Sequence, residues 1–214
     1  MRTTLLAAMI MASMTTFAQE IKLPAPNMKQ KTMSMVETLK TRHSVRNFDT
    51  KKTLSTQQIS DLCWAACGMS RDDNHRTAPT ARNMQEIRLF VFTAEGVYEY
   101  AAKENKLVKK AAGDQRSLLA GRKGSFTQDF VMDAPVSLLM VIDFDKFGSD
   151  NLNAQYMGCV DAGIVCENIN LYCQAAGMAT VPRATHDGEA ISKLLGFTSK
   201  QLPIMNNPVG FEKK

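Results

Sequence analysis

Residues 153–176 form the longest predicted helix of the chain, and this helix is apolar on nearly every side. Such a helix must be buried against a sheet or a second subunit, because water would otherwise contact a large apolar surface. The preceding residues 135–143 are continuously apolar, and their number is typical of a strand that is buried on both faces. Gly177 is expected to end the helix. These two segments therefore predict a domain in which helices pack on a sheet.

Shorter segments complete this α+β domain. Ser34 with Glu37, and Ser55 with Gln58, have the capping-box pattern, which predicts two helices near the N-terminus. The first of these helices has a predicted apolar face of Met35, Val36 and Leu39. The other predicted strands are residues 87–93, 97–101, 107–111, 178–182 and 201–211, and the other predicted helices are residues 114–120 and 187–195. We therefore predict a central mixed sheet of about four or five strands flanked by helices.

The composition agrees with one globular domain. The chain has 214 residues, of which 44% are apolar, and this length gives an expectation near one domain. Its net charge of +5 comes from interspersed charges without a basic run, so we expect no nucleic-acid partner. A small anionic ligand remains compatible with the excess of cations.

The N-terminus has the pattern of a secretory signal peptide. Arg2 provides a positive charge and residues 5–17 are apolar, a run shorter than the ~20 residues that span a bilayer. The alternative is a buried N-terminal helix. We divide the chain into a signal peptide (residues 1–18), an N-terminal leader (residues 19–33) without order of its own, and one domain (residues 34–214). The protein is expected to be exported to the periplasm, and mass spectrometry of the mature N-terminus can verify the cleavage.

The five cysteines occur at helical spacings, with Cys63 and Cys67 in one group and Cys159, Cys166 and Cys173 in the other. An odd number cannot all form disulfides. Helical spacing instead predicts buried thiols in the core, where cysteine packs as a small apolar residue. The spacings do not match a zinc site, so we expect no metal.

Residues 41–49 carry the most informative motif. Arg42 and Arg46 lie four positions apart at the end of the first predicted helix, with Ser44 between them. Two guanidinium groups and a hydroxyl can bind one phosphate, because guanidinium donors match phosphate oxygens in pairs. The same residues also allow a solvated basic turn that complements the helix dipole.

The motif resembles that of the nitroreductase family of flavin-dependent oxidoreductases. Residues 42–49, Arg-His-Ser-Val-Arg-Asn-Phe-Asp, fit at every defined position the family segment that binds the FMN phosphate and ribityl chain. Similar segments follow in the family's order at residues 79–85, at Gln128 with residues 133–136, and at residues 161–163, 175–178 and 208–211. The resemblance therefore extends over nearly the whole chain that follows the predicted signal peptide.

The resemblance implies an α+β homodimer with the nitroreductase-like fold, in which the long helix is the dimer core and FMN binds at the subunit interface. Residues 79–83 would reach the flavin of the partner subunit, and the turn at residues 182–185 would place a backbone N–H near the flavin N5. The implied FMN-binding residues are Arg42, His43, Ser44, Arg46, Pro79, Thr80, Ala81, Asn83, Gln128, Pro182, Arg183, Ala184 and Lys213. Arg183 is expected either to contact the substrate or to be solvated. No side chain is implied to be catalytic.

The implied activity is a two-electron, ping-pong transfer of hydride through FMN to small electrophilic acceptors of nitroaromatic or quinone type. Two alternatives remain open. Residues 97–100 and 112–116 loosely resemble the members of this fold that oxidise azoline rings in modified peptides, which implies a dehydrogenase that passes electrons to another acceptor. The other alternative is a flavin-binding protein without turnover. The electron donor would be NAD(P)H in the cytoplasm, and it is undetermined if the protein is exported.

Overall fold

The computed structural model describes residues 19–122 and 124–214. The predicted signal peptide lies outside the described residues, so export stays a prediction. The strands are β1 (Glu20–Lys22), β2 (Met69–Arg71), β3 (His75–Arg76), β4 (Ile87–Thr93), β5 (Gly96–Ala101), β6 (Lys106–Ala112), β7 (Val136–Asp143), β8 (Ala179–Thr180) and β9 (Gln201–Gly210). The helices are α1 (Met35–Thr41), α2 (Thr56–Cys67), α3 (Ser117–Ala120), α4 (Leu152–Ala175) and α5 (Gly188–Leu195), and short 3-10 turns occur at Ala81–Asn83, Asp129–Asp133 and Phe144–Lys146.

A seven-stranded sheet forms the centre of the protein, in the order β1-β6-β5-β4-β7-β9-β8. The predicted α+β class is confirmed. The sheet has more strands than the four or five predicted. Strand β1 was not predicted, because its three residues are too few to give a periodic sequence pattern, whereas β8 is a two-residue part of the strand predicted over residues 178–182. Its described pairings are all antiparallel, where a mixed sheet was expected.

Part of the predicted leader belongs to this sheet. Residues 20–22 pair antiparallel with residues 106–108 of β6, and Leu23 is buried in the core directly afterwards. Order therefore begins well before Ser34, and the expectation of an unstructured leader up to that residue is wrong. The sequence lacks a signal for it because this strand contributes one half-buried residue, Ile21, between two exposed ones.

Helices cover both faces of the sheet. Alternate residues of β4 point to opposite sides, so that Leu89 and Val91 join one apolar cluster and Phe90 and Phe92 join the other, as the two-residue period of a strand requires. Helices α2 and α4 pack on the first side, whereas α3 and α5 pack on the second. The close approach of α4 to β7 depends on Gly158, where an added Cβ would lie 2.7 Å from Ile142.

The predicted helix starts agree with the structure. The Ser55 side chain accepts a hydrogen bond from the Gln58 N–H, and the Gln58 side chain accepts one from the Ser55 N–H, which makes a complete capping box. Ser34 caps α1 by accepting from the Glu37 N–H. A side-chain acceptor at such a position satisfies an N–H that has no partner within the helix.

The predicted helical faces differ in how far this chain buries them. The predicted apolar face of α1 is exposed in the protomer, at 63% for Met35, 77% for Val36 and 60% for Leu39. Four of the five cysteines are buried thiols as expected, whereas Cys159 is exposed on α4. The periodicity identified a helical face correctly but could not tell whether the same chain covers that face.

Within residues 19–122 and 124–214, no helix has the length and apolarity needed to cross a membrane. The same residues contain no group of three or more His, Cys, Asp or Glu side chains placed to hold a metal ion.

Candidate anion-binding site

The predicted phosphate motif is an extended segment that lies between β8 and the C-terminal residues. The Val45 N–H donates to the Thr180 carbonyl at 3.0 Å, and the Asp49 N–H donates to the Phe211 carbonyl at 2.8 Å. Val45 is buried against the protein, whereas Ser44 and Arg46 on either side of it are exposed. The alternation of an extended chain therefore turns the polar residues of the motif toward solvent.

Phe48 anchors this segment. Its ring is 2% exposed, and it lies so close to Gly210 that a Cβ added there would be 3.1 Å from the ring. It also stacks with Phe130 at a centroid distance of 6.4 Å. The aromatic position of the motif thus fixes the backbone from which Ser44 and Arg46 project.

Arg183 lies beneath the motif and is almost completely buried, with 6% of its surface exposed. Its Nε donates to Gln128 Oε1 at 2.6 Å, and its Nη1 donates to Asn206 Oδ1 at 2.6 Å and to the Leu119 carbonyl at 2.8 Å. The guanidinium also lies 5.5 Å from the centroid of the Phe130 ring. The expectation of a solvated Arg183 is therefore wrong, because neutral groups of the protein take up most of its donors.

The three arginines of this region form no close ion pair with a carboxylate of the described residues. Burial, and after it the charge of Arg46, lower the pKa of Arg183 to about 10. Among the residues described, no carboxylate lies within 4.0 Å of Arg42, Arg46 or Arg183. Cations held together without an acid form a site that favours an anion.

The C-terminal residues complete the surroundings of the motif. The Lys213 backbone N–H donates to the Asn47 carbonyl at 3.0 Å, so the C-terminal residues are held against the motif, while binding of FMN by the Lys213 side chain stays a prediction. His43 also lies near the C-terminal residues. Its Nε2 is 3.7 Å from the Glu212 carboxylate, and its Nδ1 is 3.0 Å from the Thr41 carbonyl. Both side chains of the His43 and Glu212 pair are more than half exposed.

The turn at residues 182–185 offers two unused backbone donors. Pro182 has no N–H, and the Arg183 N–H donates to the Asn206 carbonyl at 2.9 Å. The N–H groups of Ala184 and Thr185 have no acceptor in the described part of the chain. A ligand above Arg46 and Arg183 would find its backbone donor at one of these two residues.

The second predicted group, residues 79–83, lies elsewhere in the protomer. The Ala81 N–H donates to Asp161 Oδ2 on α4 at 2.9 Å, whereas the motif end of α1 contacts α4 through Gln174 Nε2 and Thr41 Oγ1 at 3.0 Å. With a rise of 1.5 Å per residue, these two contact points are about 20 Å apart along α4. A single chain therefore does not bring Pro79, Thr80, Ala81 and Asn83 together with the arginines.

Two buried acids accompany residues 79–83. Glu86 is completely buried and Asp161 is 5% exposed, and the two carboxyl groups lie within hydrogen-bonding reach of each other. Burial, followed by the contact with Asp161, raises the pKa of Glu86 to about 8. At neutral pH the pair therefore holds a proton.

Sequence reasoning missed several residues of these sites. Phe130 and Asn206 hold Arg183 from distant positions in the chain, and nothing in their local pattern distinguishes them from core residues. Glu86 and Asp161 do carry a signal, since the first directly precedes a buried strand and the second interrupts an apolar helix. A charged residue in such a place needs a partner or a proton.

Residues 39–211 match the model of the nitroreductase family. The chain belongs to the nitroreductase family. The match spans the phosphate motif, residues 79–83, the turn that contains Arg183 and the last strand. The chain has no significant match among curated proteins.

Solved structures agree with this assignment. A Ralstonia eutropha JMP134 protein provisionally named a nitroreductase is 29% identical, with a TM-score of 0.82 over 93% of this chain and 92% of that one. A Staphylococcus epidermidis protein provisionally named an NAD(P)H:FMN oxidoreductase has a TM-score of 0.63 at 15% identity over 88% and 92% of the two chains. A chain of the Escherichia coli microcin synthetase McbBCD complex has a TM-score of 0.69 at 17% identity over 99% and 85%. The last two likenesses concern the fold alone.

Proposed function

We propose that this nitroreductase-family protein is an FMN-dependent oxidoreductase that transfers two electrons to small electrophilic acceptors of nitroaromatic or quinone type. The proposal is supported by the exposed Arg46, whose charge acts on the buried Arg183, and by Arg42 in the same motif; among the described residues none of the three has a carboxylate within 4.0 Å. A phosphate monoester supplies the missing negative charge and accepts bonds from guanidinium forks.

The donor set fits FMN. The guanidinium groups of the half-buried Arg42 and the exposed Arg46 and the Ser44 hydroxyl would hold the phosphate, with Lys213 beside them. The backbone N–H of Ala184 or Thr185 would donate to the flavin ring. FMN supplies the hydride chemistry when bound, so the residues of this chain need only bind it, orient it and exclude water. No side chain in the site is required as a nucleophile.

We propose that the functional unit is a homodimer. Two observations support it. The first is that residues 79–83 and the end of α1 before the phosphate motif contact α4 at separate places along its length. The second is the exposure of the α1 apolar face, together with Leu152, Tyr156 and Val160 on α4, each of which is at least 55% exposed. Residues spaced by four form one stripe of a helix, and an exposed apolar stripe of this kind indicates an interface. A second copy would cover both helices and could bring residues 79–83 to the other protomer's FMN.

Rapid reduction by a nicotinamide tests the catalytic part of this proposal. Mixing the FMN-loaded protein with NADH or NADPH in a stopped-flow instrument is expected to bleach the oxidised-flavin absorbance within seconds, and a quinone should then restore it. Dithionite serves as the control that the bound flavin can be reduced. Bleaching by dithionite without bleaching by either nicotinamide would contradict a nicotinamide-dependent reductase. That result would favour a dehydrogenase or, for an exported protein, a different electron donor.

A further inference from the structure

We propose that Glu86 is a positioning residue that, in its protonated form, donates a hydrogen bond to Asp161 and thereby holds residues 79–85 in place. Residues 79–83 have proposed contacts with FMN, but no residue has so far been assigned to hold them in position. The consequence of this role for FMN binding rests on the proposed function. The structural claim can be tested without the cofactor.

The geometry requires a proton between the two acids. Both carboxylate oxygens of Glu86 are buried and lack a hydrogen-bond donor among the described residues. Asp161 uses Oδ2 to accept the Ala81 N–H at 2.9 Å and lies within hydrogen-bonding reach of Glu86. Two ionised carboxylates are acceptors only and repel each other, so a single proton shared by the pair satisfies the contact.

The charged groups that face Glu86 come from two elements. Asp161 faces it from α4, and Arg76 faces it from β3 with a weaker, opposite effect. Arg76 Nη1 donates to the Ile87 carbonyl at 3.0 Å, while its Nε is buried and has no partner in the described residues. Beside Arg76, burial raises the pKa of Cys67 to about 11 and raises that of Tyr100 as well, so both are neutral over the relevant range.

Residues 79–85 have a backbone that depends on external support. Arg82, Asn83 and Gln85 have φ values of 52°, 55° and 53°, in the left-handed region that costs energy for residues other than glycine. Such conformations persist where neighbouring contacts hold them. Apart from bonds within the segment, the described contacts that do so are the Ala81 bond to Asp161 and the bond from Gln85 Nε2 to the Asn74 carbonyl at 2.7 Å.

The direction of the pH effect follows from the raised pKa. When the segment opens, Glu86 becomes hydrated and its pKa returns toward 4.5, whereas it is about 8 in the closed form. The closed form therefore binds the proton more tightly, and its advantage is complete below the open-form pKa. This advantage decreases as the pH rises. The equilibrium constant for opening therefore increases about tenfold per pH unit and becomes constant above the closed-form pKa.

Limited trypsin digestion of the purified protein, analysed by mass spectrometry, measures this opening directly. Trypsin can cut after Arg82, which is exposed inside the segment, and after Arg122, which is exposed in a separate loop and serves as the internal control. Between pH 6.5 and 7.5, the ratio of cleavage at Arg82 to cleavage at Arg122 is expected to rise about tenfold in the wild type. In Glu86→Gln the amide donates to Asp161 at every pH, so the ratio should stay constant and low.

Asp161→Asn is the second variant, since its amide can donate to an ionised Glu86 and should weaken the pH dependence, which the burial of Glu86 would still maintain in part. If neither variant folds, as judged by circular dichroism, the wild-type ratio across the same pH range decides. A ratio that does not change with pH in the wild type, or one that changes equally in a folded Glu86→Gln variant, would overturn the inference. Absence of FMN binding would contradict the proposed function and leave this result unaffected.

Discussion

The double variant Arg42→Ala/Arg46→Ala is expected to bind FMN about 10²–10⁴-fold more weakly than the wild type. Each hydrogen bond to a charged group contributes about 1.5–3 kcal/mol, and two guanidinium contacts to one phosphate would be lost together. Neither arginine contacts an acid within 4.0 Å in the described protein, so their replacement should leave the fold intact. Titration of the apoprotein, followed by quenching of FMN fluorescence, gives the dissociation constant.

The matched control removes two positive charges elsewhere. Arg122 and Lys200 form exposed ion pairs with Glu189 and Asp150, so Arg122→Ala/Lys200→Ala changes the net charge equally. This control should keep FMN affinity within about threefold, because separated surface charges are screened by salt. An Arg42→Ala/Arg46→Ala protein with wild-type affinity would show that the phosphate binds elsewhere.

Arg183→Ala is expected to lower the free energy of unfolding by about 3–5 kcal/mol, because three buried neutral acceptors would lose their donor at about 1–3 kcal/mol each. The truncation would leave Gln128 Oε1, Asn206 Oδ1 and the Leu119 carbonyl without the donors that now lie 2.6–2.8 Å away. It would also remove the contact with the Phe130 ring. Urea unfolding at fixed protein and FMN concentrations measures the change, since ligand and partner binding both shift apparent stability.

Arg122→Ala is the control for this second prediction. Arg122 and Glu189 are 67% and 81% exposed in their side chains, and exposed ion pairs contribute little to stability. A shift below about 1 kcal/mol is expected for it. An equally small shift for Arg183→Ala would contradict the description of Arg183 as the buried centre of this network.

Local patterns predicted the elements that are long or strongly apolar. The apolar segment that forms β7 and the segment that forms α4 were predicted, because their buried apolar residues follow one another in the sequence. The sequence predicted a longer strand where the two-residue β8 lies, and it did not predict β1. Both are short edge strands, which are determined by pairing with distant partners. The face of Met35, Val36 and Leu39 was recognised, but its exposure in the protomer depends on what lies opposite it.

The candidate site shows the same division. The spacing of Arg42, Ser44 and Arg46 is a local signal, and the resemblance to the family gave it a meaning. The burial of Arg183 depends on Gln128 and Asn206, which are 55 and 23 positions away in the sequence. Long-range contacts of this kind have no local pattern, so the sequence allowed either substrate contact or solvation where the structure has a buried cation.

We propose that two copies of this chain together bind FMN through Arg42 and Arg46. Sedimentation velocity of the purified protein, monitored in the visible flavin band after addition of FMN, is the direct test. We expect a yellow species with the mass of two chains and one FMN per chain. A colourless monomer that sediments apart from the added FMN would contradict it.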